Sequence, residues 1–301
     1  MSEISGNCAG EHKMIKYPLT REGMPFRSHG IVGIYELRDK IAFIHFAFGF
    51  VSAEQYAKDK LTPSYALLDV FSADFNERSL AHLEYHDQEI FSAYDAVCYW
   101  EDDRFFMNTK RYDGFSSSIA KIIEIRDTEL IEVDDAPAPV QQIYNDAKSH
   151  IFGDYIVRMA SQFMMECRHK LSGEIIWKLK LTAYLYSEVE ERNGILYFGT
   201  AGKGGRFYGI SLVNGDVIFN CNTGGTERFA WYKDNVLLAN RKGKPVLLDS
   251  RDGSEIRQFD FGKLQFPAYQ HMLVKGERLY AVASDADAMY AVCVNLCENQ
   301  E

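Results

Sequence analysis

Three stretches of this chain share one signature at nearly one spacing: "DYIVRMASQFMMECRHKLSGEIIWKL" (154–179), "GILYFGTAGKGGRFYGISLVNGDVIFN" (194–220) and "DNVLLANRKGKPVLLDSRDGSEIRQF" (234–259). Each runs as a polar turn, an apolar strand, a loop, a second strand, a glycine-centred tight turn and a third strand. The turn glycines are Gly173, Gly215 and Gly253, preceded by Ser172, Asn214 and Asp252. Such dipeptides turn a chain because glycine takes positive φ without steric cost. A unit of this kind cannot bury both its faces alone, so a chain that repeats it is constrained to stack the copies.

The polar-turn-then-strand signal extends outward, at "RDKIAFIHF", "EDDRFFMN", "GDYIVRM", "RNGILYFG", "KDNVLLAN" and "GERLYAVA". The first apolar residues of these strands are Ile41, Phe105, Tyr155, Ile195, Val236 and Leu279, at intervals of 64, 50, 40, 41 and 43 residues. Matching second strands are "YALLDV", "IAKIIEI", "FMMECRH", "FYGISLV", "PVLLDSR" and "MYAVCVN". Most units are preceded by a further apolar segment: "GIVGIYEL", "DAVCYW", "AYLYSEV", "RFAWY" and "AYQHMLV". About four short strands per 40–50 residues is the period of a β-propeller blade. The expectation is an all-β chain forming a single propeller over residues 13–301, with six four-stranded blades and a flexible segment over 1–12. A seventh blade would need an extra unit within 48–104. The last unit stops after its third strand, so "KMIKYPL" (13–19) is expected to supply the fourth and close the ring, which removes an exposed edge.

"HKLSGEIIW" (169–177) resembles the D-x-x-T-G-x-x-x-W repeat of quinoprotein-like propellers. "YGISLVNGDVIF" and "VLLDSRDGSEI" are similar to degenerate versions of it. The resemblance runs from about residue 153 to 300 and implies architecture rather than activity, since propellers host many functions. The quinoprotein dehydrogenases carry eight well-formed blades, a secretion signal and calcium-supporting residues, none of which is read here.

"GTAGKGG" (199–205) invites a phosphate-binding reading. In G-x-x-x-x-G-K-[ST], however, a Ser or Thr follows the lysine and a helix follows the loop. Here Gly204 follows Lys203, and "GRFYGISLV" continues as a strand. The loop is expected to be a hairpin connection. Other catalytic signatures are missing too: no G-x-S-x-G and no H-E-x-x-H. His82 and His86, four apart with Glu84 and Asp87 nearby, would suit zinc on a helix; in the propeller register they flank a strand end and read as surface residues. No metal or cofactor is expected.

The net charge of -10 argues against nucleic acid and favours steering toward a basic partner. The opening residues lack the apolar core of about 7–15 residues that secretion needs, and no stretch is long and apolar enough for a transmembrane helix. Six scattered cysteines then read as reduced thiols, and the expected location is the cytoplasm.

The long connections, 48–63, 85–92, 108–116, 134–149 and 260–268, all fall between second and third strands or between blades, and so decorate one face. The first is expected to hold a helix over 53–61. Long loops on a rigid scaffold are where binding concentrates. The candidate partner-binding residues there are Phe50, Tyr56, Tyr85, Asp87, Glu89, Tyr112, Asp134, Asp135, Tyr144, Asp285 and Asp287, with Glu84, Phe91, Asp146 and Phe266 on the same connections. Rings anchor an interface and carboxylates steer it. The function expected is a non-catalytic protein-binding propeller, monomeric on its own. Its most concrete form is an immunity-type inhibitor of a basic, nuclease-like toxin. A propeller hydrolase or lyase acting on sugars, and a scaffold of a larger complex, are the alternatives.

Overall fold

The computed structural model describes residues 12–17, 26–49, 64–85, 97–113, 116–134, 149–202, 204–225, 228–267, 271–286 and 288–297. They form 25 strands, with no helix among the described residues. After β1 (His12–Tyr17), the first blade comprises β2 (Phe26–Leu37), β3 (Lys40–Gly49), β4 (Ser64–Ser72) and β5 (Arg78–Tyr85). The second comprises β6 (Val97–Glu101), β7 (Arg104–Asp113), β8 (Ser116–Arg126) and β9 (Glu129–Val133). The third comprises β10 (Ser149–Phe152), β11 (Tyr155–Ser161), β12 (Met164–His169) and β13 (Ile175–Lys180). In the fourth, β14 (Tyr184–Leu185) and β15 (Glu190–Arg192) share one partner, β16 (Ile195–Ala201), followed by β17 (Phe207–Ser211) and β18 (Val217–Cys221). The fifth comprises β19 (Phe229–Tyr232), β20 (Asn235–Ala239), β21 (Pro245–Leu248) and β22 (Glu255–Gln258). The sixth comprises β23 (Met272–Lys275), β24 (Arg278–Ser284) and β25 (Met289–Asn295), and β1 completes it.

The protein is a six-bladed β-propeller. Each sheet is antiparallel and follows chain order except the last, which runs β1-β25-β24-β23. β1 pairs with β25 from His12↔Val294 to Tyr17↔Met289, so the N-terminal strand closes the ring as expected. Its Ile15 and Met14 pack against apolar clusters on opposite sides of the sixth sheet.

Local chemistry explains the regularity. Every hairpin between a blade's first two strands has a two-residue turn, at 38–39, 102–103, 153–154, 193–194, 233–234 and 276–277. Each contains a residue in the left-handed region, as the twist-compatible hairpin turns require. At the turn between third and fourth strands, the amide of Gly173 donates to the carbonyl of His169 (2.9 Å), Gly215 to Ser211 (2.9 Å) and Gly253 to Asp249 (2.8 Å). The repeated glycine in the sequence is this repeated bond.

Gly215 also makes room for the neighbouring blade. Its φ is +74°, and a Cβ there would lie 2.7 Å from the indole of Trp177, which lies over the turn and donates to the carbonyl of Leu212 at 2.8 Å. One blade on, Phe219 takes the equivalent place against Gly253. A second inter-blade contact also recurs. The Tyr197 hydroxyl reaches the carbonyl of Ser250 at 3.0 Å, and the Tyr280 hydroxyl reaches that of Ala73 at 2.6 Å. The last blade therefore docks on the first as the fourth docks on the fifth.

Apolar clusters fill the junctions between blades six and one, one and two, three and four, four and five, and five and six. At the remaining junction the strands carry charge. Strand alternation puts Glu124, with Arg104 and Arg126, on the face of the second blade turned away from the first. It puts Glu166, with Arg158, Arg168 and Lys178, on the face of the third turned away from the fourth.

Two expectations need correcting. The connection expected over 108–116 is largely a hairpin ladder instead: β7 and β8 pair from Phe105↔Ile125 out to Asp113↔Ser116. The first strand of the third blade, Ser149–Phe152, is short and begins at the last residue of the connection expected over 134–149, where no apolar segment marked it.

Candidate functional site

Of the loop-face residues, Phe50, Tyr56, Asp87, Glu89, Asp135, Tyr144 and Asp287 lie outside the described residues, as do the helix expected over 53–61 and His86. Asp134 follows β9 and is exposed. Asp285 closes its own turn, accepting from the Ala288 amide at 2.8 Å and the Tyr290 hydroxyl at 3.0 Å. Tyr85 and Tyr112 are not loop residues. Each extends a ladder, Tyr85 opposite Ser64 and Tyr112 opposite Ser117, because the alternating segments around them continue pairing. Phe266 leaves the candidate face altogether: at 1% exposure it belongs to the core between blades five and six.

A different constellation emerges along the axis. The first strand of each blade lines the channel of a propeller. Five blades bring one polar or titratable side chain each to neighbouring positions there. Tyr35, on β2, is hydrogen-bonded to Cys98, on β6. Its ring centroid lies 6.2 Å from that of His271, the residue before β23. Arg228, the residue before β19, acts electrostatically on both Tyr35 and His271. It also pairs with Glu188 of the fourth blade at 3.8 Å. The third blade carries His150 on β10, stacked on Phe152.

Local sequence accounts for these placements. Gly33 leaves the space into which the Tyr35 ring folds back along its own strand; any Cβ there would meet the ring. The first strand of the fourth blade breaks between β14 and β15, where the Ser187 hydroxyl accepts from the Gly199 amide at 2.6 Å in place of a ladder bond. That break delivers Glu188 to Arg228.

Burial dominates the electrostatics of the cluster. Burial, with the nearby Arg228 charge, pushes the His271 imidazole down to about 3, so it is neutral at pH 7. Burial holds the Cys98 thiol up at about 12 and raises the Tyr35 phenol well above its usual value. All three nevertheless keep accessible surface. The formal charges in the cluster are Arg228 and Glu188.

Elsewhere, carboxylates are clamped. Asp69 is fully buried and accepts two bonds from Arg78, at 2.7 and 2.8 Å. Beside it, burial and the Arg78 charge hold His45 down at about 3. Hydrogen bonds from Arg104 and Arg126 bring Glu124 down to about 2, and those from Arg168 and Arg158 lower Glu166. Among the described residues no group of three His, Cys, Asp or Glu is arranged to hold a metal ion. The "GTAGKGG" stretch is a hairpin: Thr200 donates to the Arg206 carbonyl at 2.9 Å and Gly205 to that of Gly202 at 3.0 Å, and β17 follows directly.

No family model and no curated protein matches the chain. Solved structures do. A computationally designed protein, Ika8, aligns over 89% of this chain and 97% of its own, at 12% identity and a TM-score of 0.47. BamB from Moraxella catarrhalis aligns over 89% and 99%, at 11% identity and 0.40. A europium-containing methanol dehydrogenase aligns over 60% and 48%, at 9% identity and 0.38. BamB and the dehydrogenase are propellers of the quinoprotein-like kind whose repeat "HKLSGEIIW" resembles. At these values the likenesses add nothing to the fold assignment, which rests on the six sheets, their closing strand and the repeated inter-blade contacts.

Proposed function

We propose that this propeller binds a protein partner and performs no chemistry of its own, most concretely as a cytosolic immunity-type inhibitor that caps a basic, nuclease-like toxin. The observation that supports the non-catalytic part is the state of several buried titratable groups among the described residues. General acid–base catalysis needs a group that titrates near the working pH, and thiol chemistry needs an accessible thiolate. His271 and His45 are held neutral near 3, Cys98 is held as a thiol near 12, and Asp69, Glu124 and Glu166 are engaged by arginines. These are groups arranged for shape and fixed charge.

The partner's chemistry is inferred from charge. A chain at -10 with carboxylates on its long connections attracts a basic surface, and Asp134 stands exposed at the end of the second blade. The experiment is capture of the partner from the host, then association kinetics across salt concentrations. Reversing Asp134 and Asp135 to Lys should slow association, and trimming Tyr56 or Tyr144 to Ala should speed dissociation. A partner whose binding ignores salt and all four changes overturns the assignment of this face.

A further inference from the structure

We propose that the central channel binds a small oxyanion, the carboxylate or phosphate group of a low-molecular-weight ligand, on Arg228, with Tyr35 and His271 as hydrogen-bonding groups beside it. This rests on a different part of the molecule from the protein-binding face and does not depend on it.

The argument begins with how Arg228 is held. A guanidinium that satisfies a carboxylate does so at about 2.7–2.9 Å, usually through two parallel bonds. That geometry occurs elsewhere in this chain: Arg78 on Asp69 at 2.7 and 2.8 Å, and Arg104 on Glu124 at 3.1 and 2.7 Å. Arg228 instead stands 3.8 Å from Glu188, beyond hydrogen-bond range, and this is its ion pair among the described residues. Its side chain is 29% exposed and that of Glu188 is 49% exposed. The cation is therefore partly desolvated and loosely matched, while its carboxylate neighbour remains half in solvent.

The surroundings favour an anion. Tyr35, Cys98 and His271 converge from three other blades, and none carries negative charge. The phenol has one O–H, which a ligand would have to draw away from Cys98, and a neutral imidazole has one N–H to give. A flat fork, a hydroxyl and an imidazole at the first strands of three adjoining blades would suit an oxyanion with two or more oxygens. Glu188 is the competitor: a bound anion must displace it from the guanidinium or tolerate its charge.

That competition gives the test two opposite signs at adjacent residues. Isothermal titration calorimetry at low salt would use succinate for the carboxylate arm and inorganic phosphate for the phosphate arm. Saturable binding of at least one is expected below about 10 mM, and the arm that saturates names the oxyanion. Arg228→Gln should weaken that binding about tenfold or more, and Arg228→Lys, which keeps the charge but loses the fork, less. Tyr35→Phe should weaken it several-fold. Glu188→Gln should tighten it several-fold, because a like charge is removed and the guanidinium is freed. Arg251→Gln, in an exposed turn pair with Asp249, should change nothing. Thermal melts establish that each variant is folded, and Arg228→Lys carries the test if Arg228→Gln is not. The proposal is overturned if neither anion saturates, if binding survives the loss of the Arg228 fork, or if Glu188→Gln weakens it.

Discussion

The docking of Trp177 over the Gly215 turn makes a quantitative prediction, because two independent costs meet at one glycine. Gly215→Ala must hold an alanine at φ +74°, which costs about 1–2 kcal/mol for any L-residue. The new Cβ would also sit 2.7 Å from Cγ and Cδ2 of Trp177, far inside ordinary contact, and the 7%-exposed indole cannot retreat without losing its 2.8 Å bond to the Leu212 carbonyl. Overpacking of that kind adds about 1–3 kcal/mol. Trp177→Ala alone removes a large buried ring, costing about 3–5 kcal/mol. In the double variant the steric cost vanishes and the left-handed cost remains. The two substitutions should therefore be less than additive by about 1–3 kcal/mol, measured by urea unfolding of the wild type, both single variants and the double. If Trp177→Ala leaves too little folded protein, Trp177→Leu serves in the same cycle. Additivity to within about 0.5 kcal/mol would refute the contact as the reason for glycine at 215.

Further outcomes follow from the closing strand and the charged junction. Deleting residues 1–20 removes β1 from the edge of β25 and should lower the unfolding midpoint of the whole propeller, while deleting 1–10 should not; equal midpoints would count against closure by this strand. The bonds from Arg104 and Arg126 depress Glu124 from 4.5 to about 2, so its contribution to stability is present above about pH 4.5 and is lost as pH falls toward 2. The stability difference between wild type and Glu124→Gln should accordingly shrink across that window in pH-dependent urea unfolding, and a difference that stays constant from pH 5 to 2.5 would be incompatible with the depressed value.

What the sequence determined by itself is the repeated unit. Its signals are local: a two-residue hairpin turn, a glycine that must take positive φ, and strands alternating or running apolar for four to seven residues. Ile41, Phe105, Tyr155, Ile195, Val236 and Leu279 all mark strand starts to within one residue. The closing partner of the last blade was also legible, since a sixth unit lacking its fourth strand leaves an edge that the N-terminal apolar run can fill. Local signals failed where the strand was atypical. "SHIF" is too short and too mixed to read as a channel strand, and the pairing of residues 109–113 with 116–121 was absorbed into a loop.

The channel cluster was decided by the tertiary structure. Tyr35, Cys98, Glu188, Arg228 and His271 all lie in the apolar segments that precede the repeated units, so their strands were identified while their meeting was not. They are up to 236 residues apart, from Tyr35 to His271, and share no motif or spacing. Their proximity comes from rotating one blade after another about a common axis until the sixth docks on the first. Periodicity along a chain shows which face of each strand is buried; only closure of the ring determines which residues face each other across its centre.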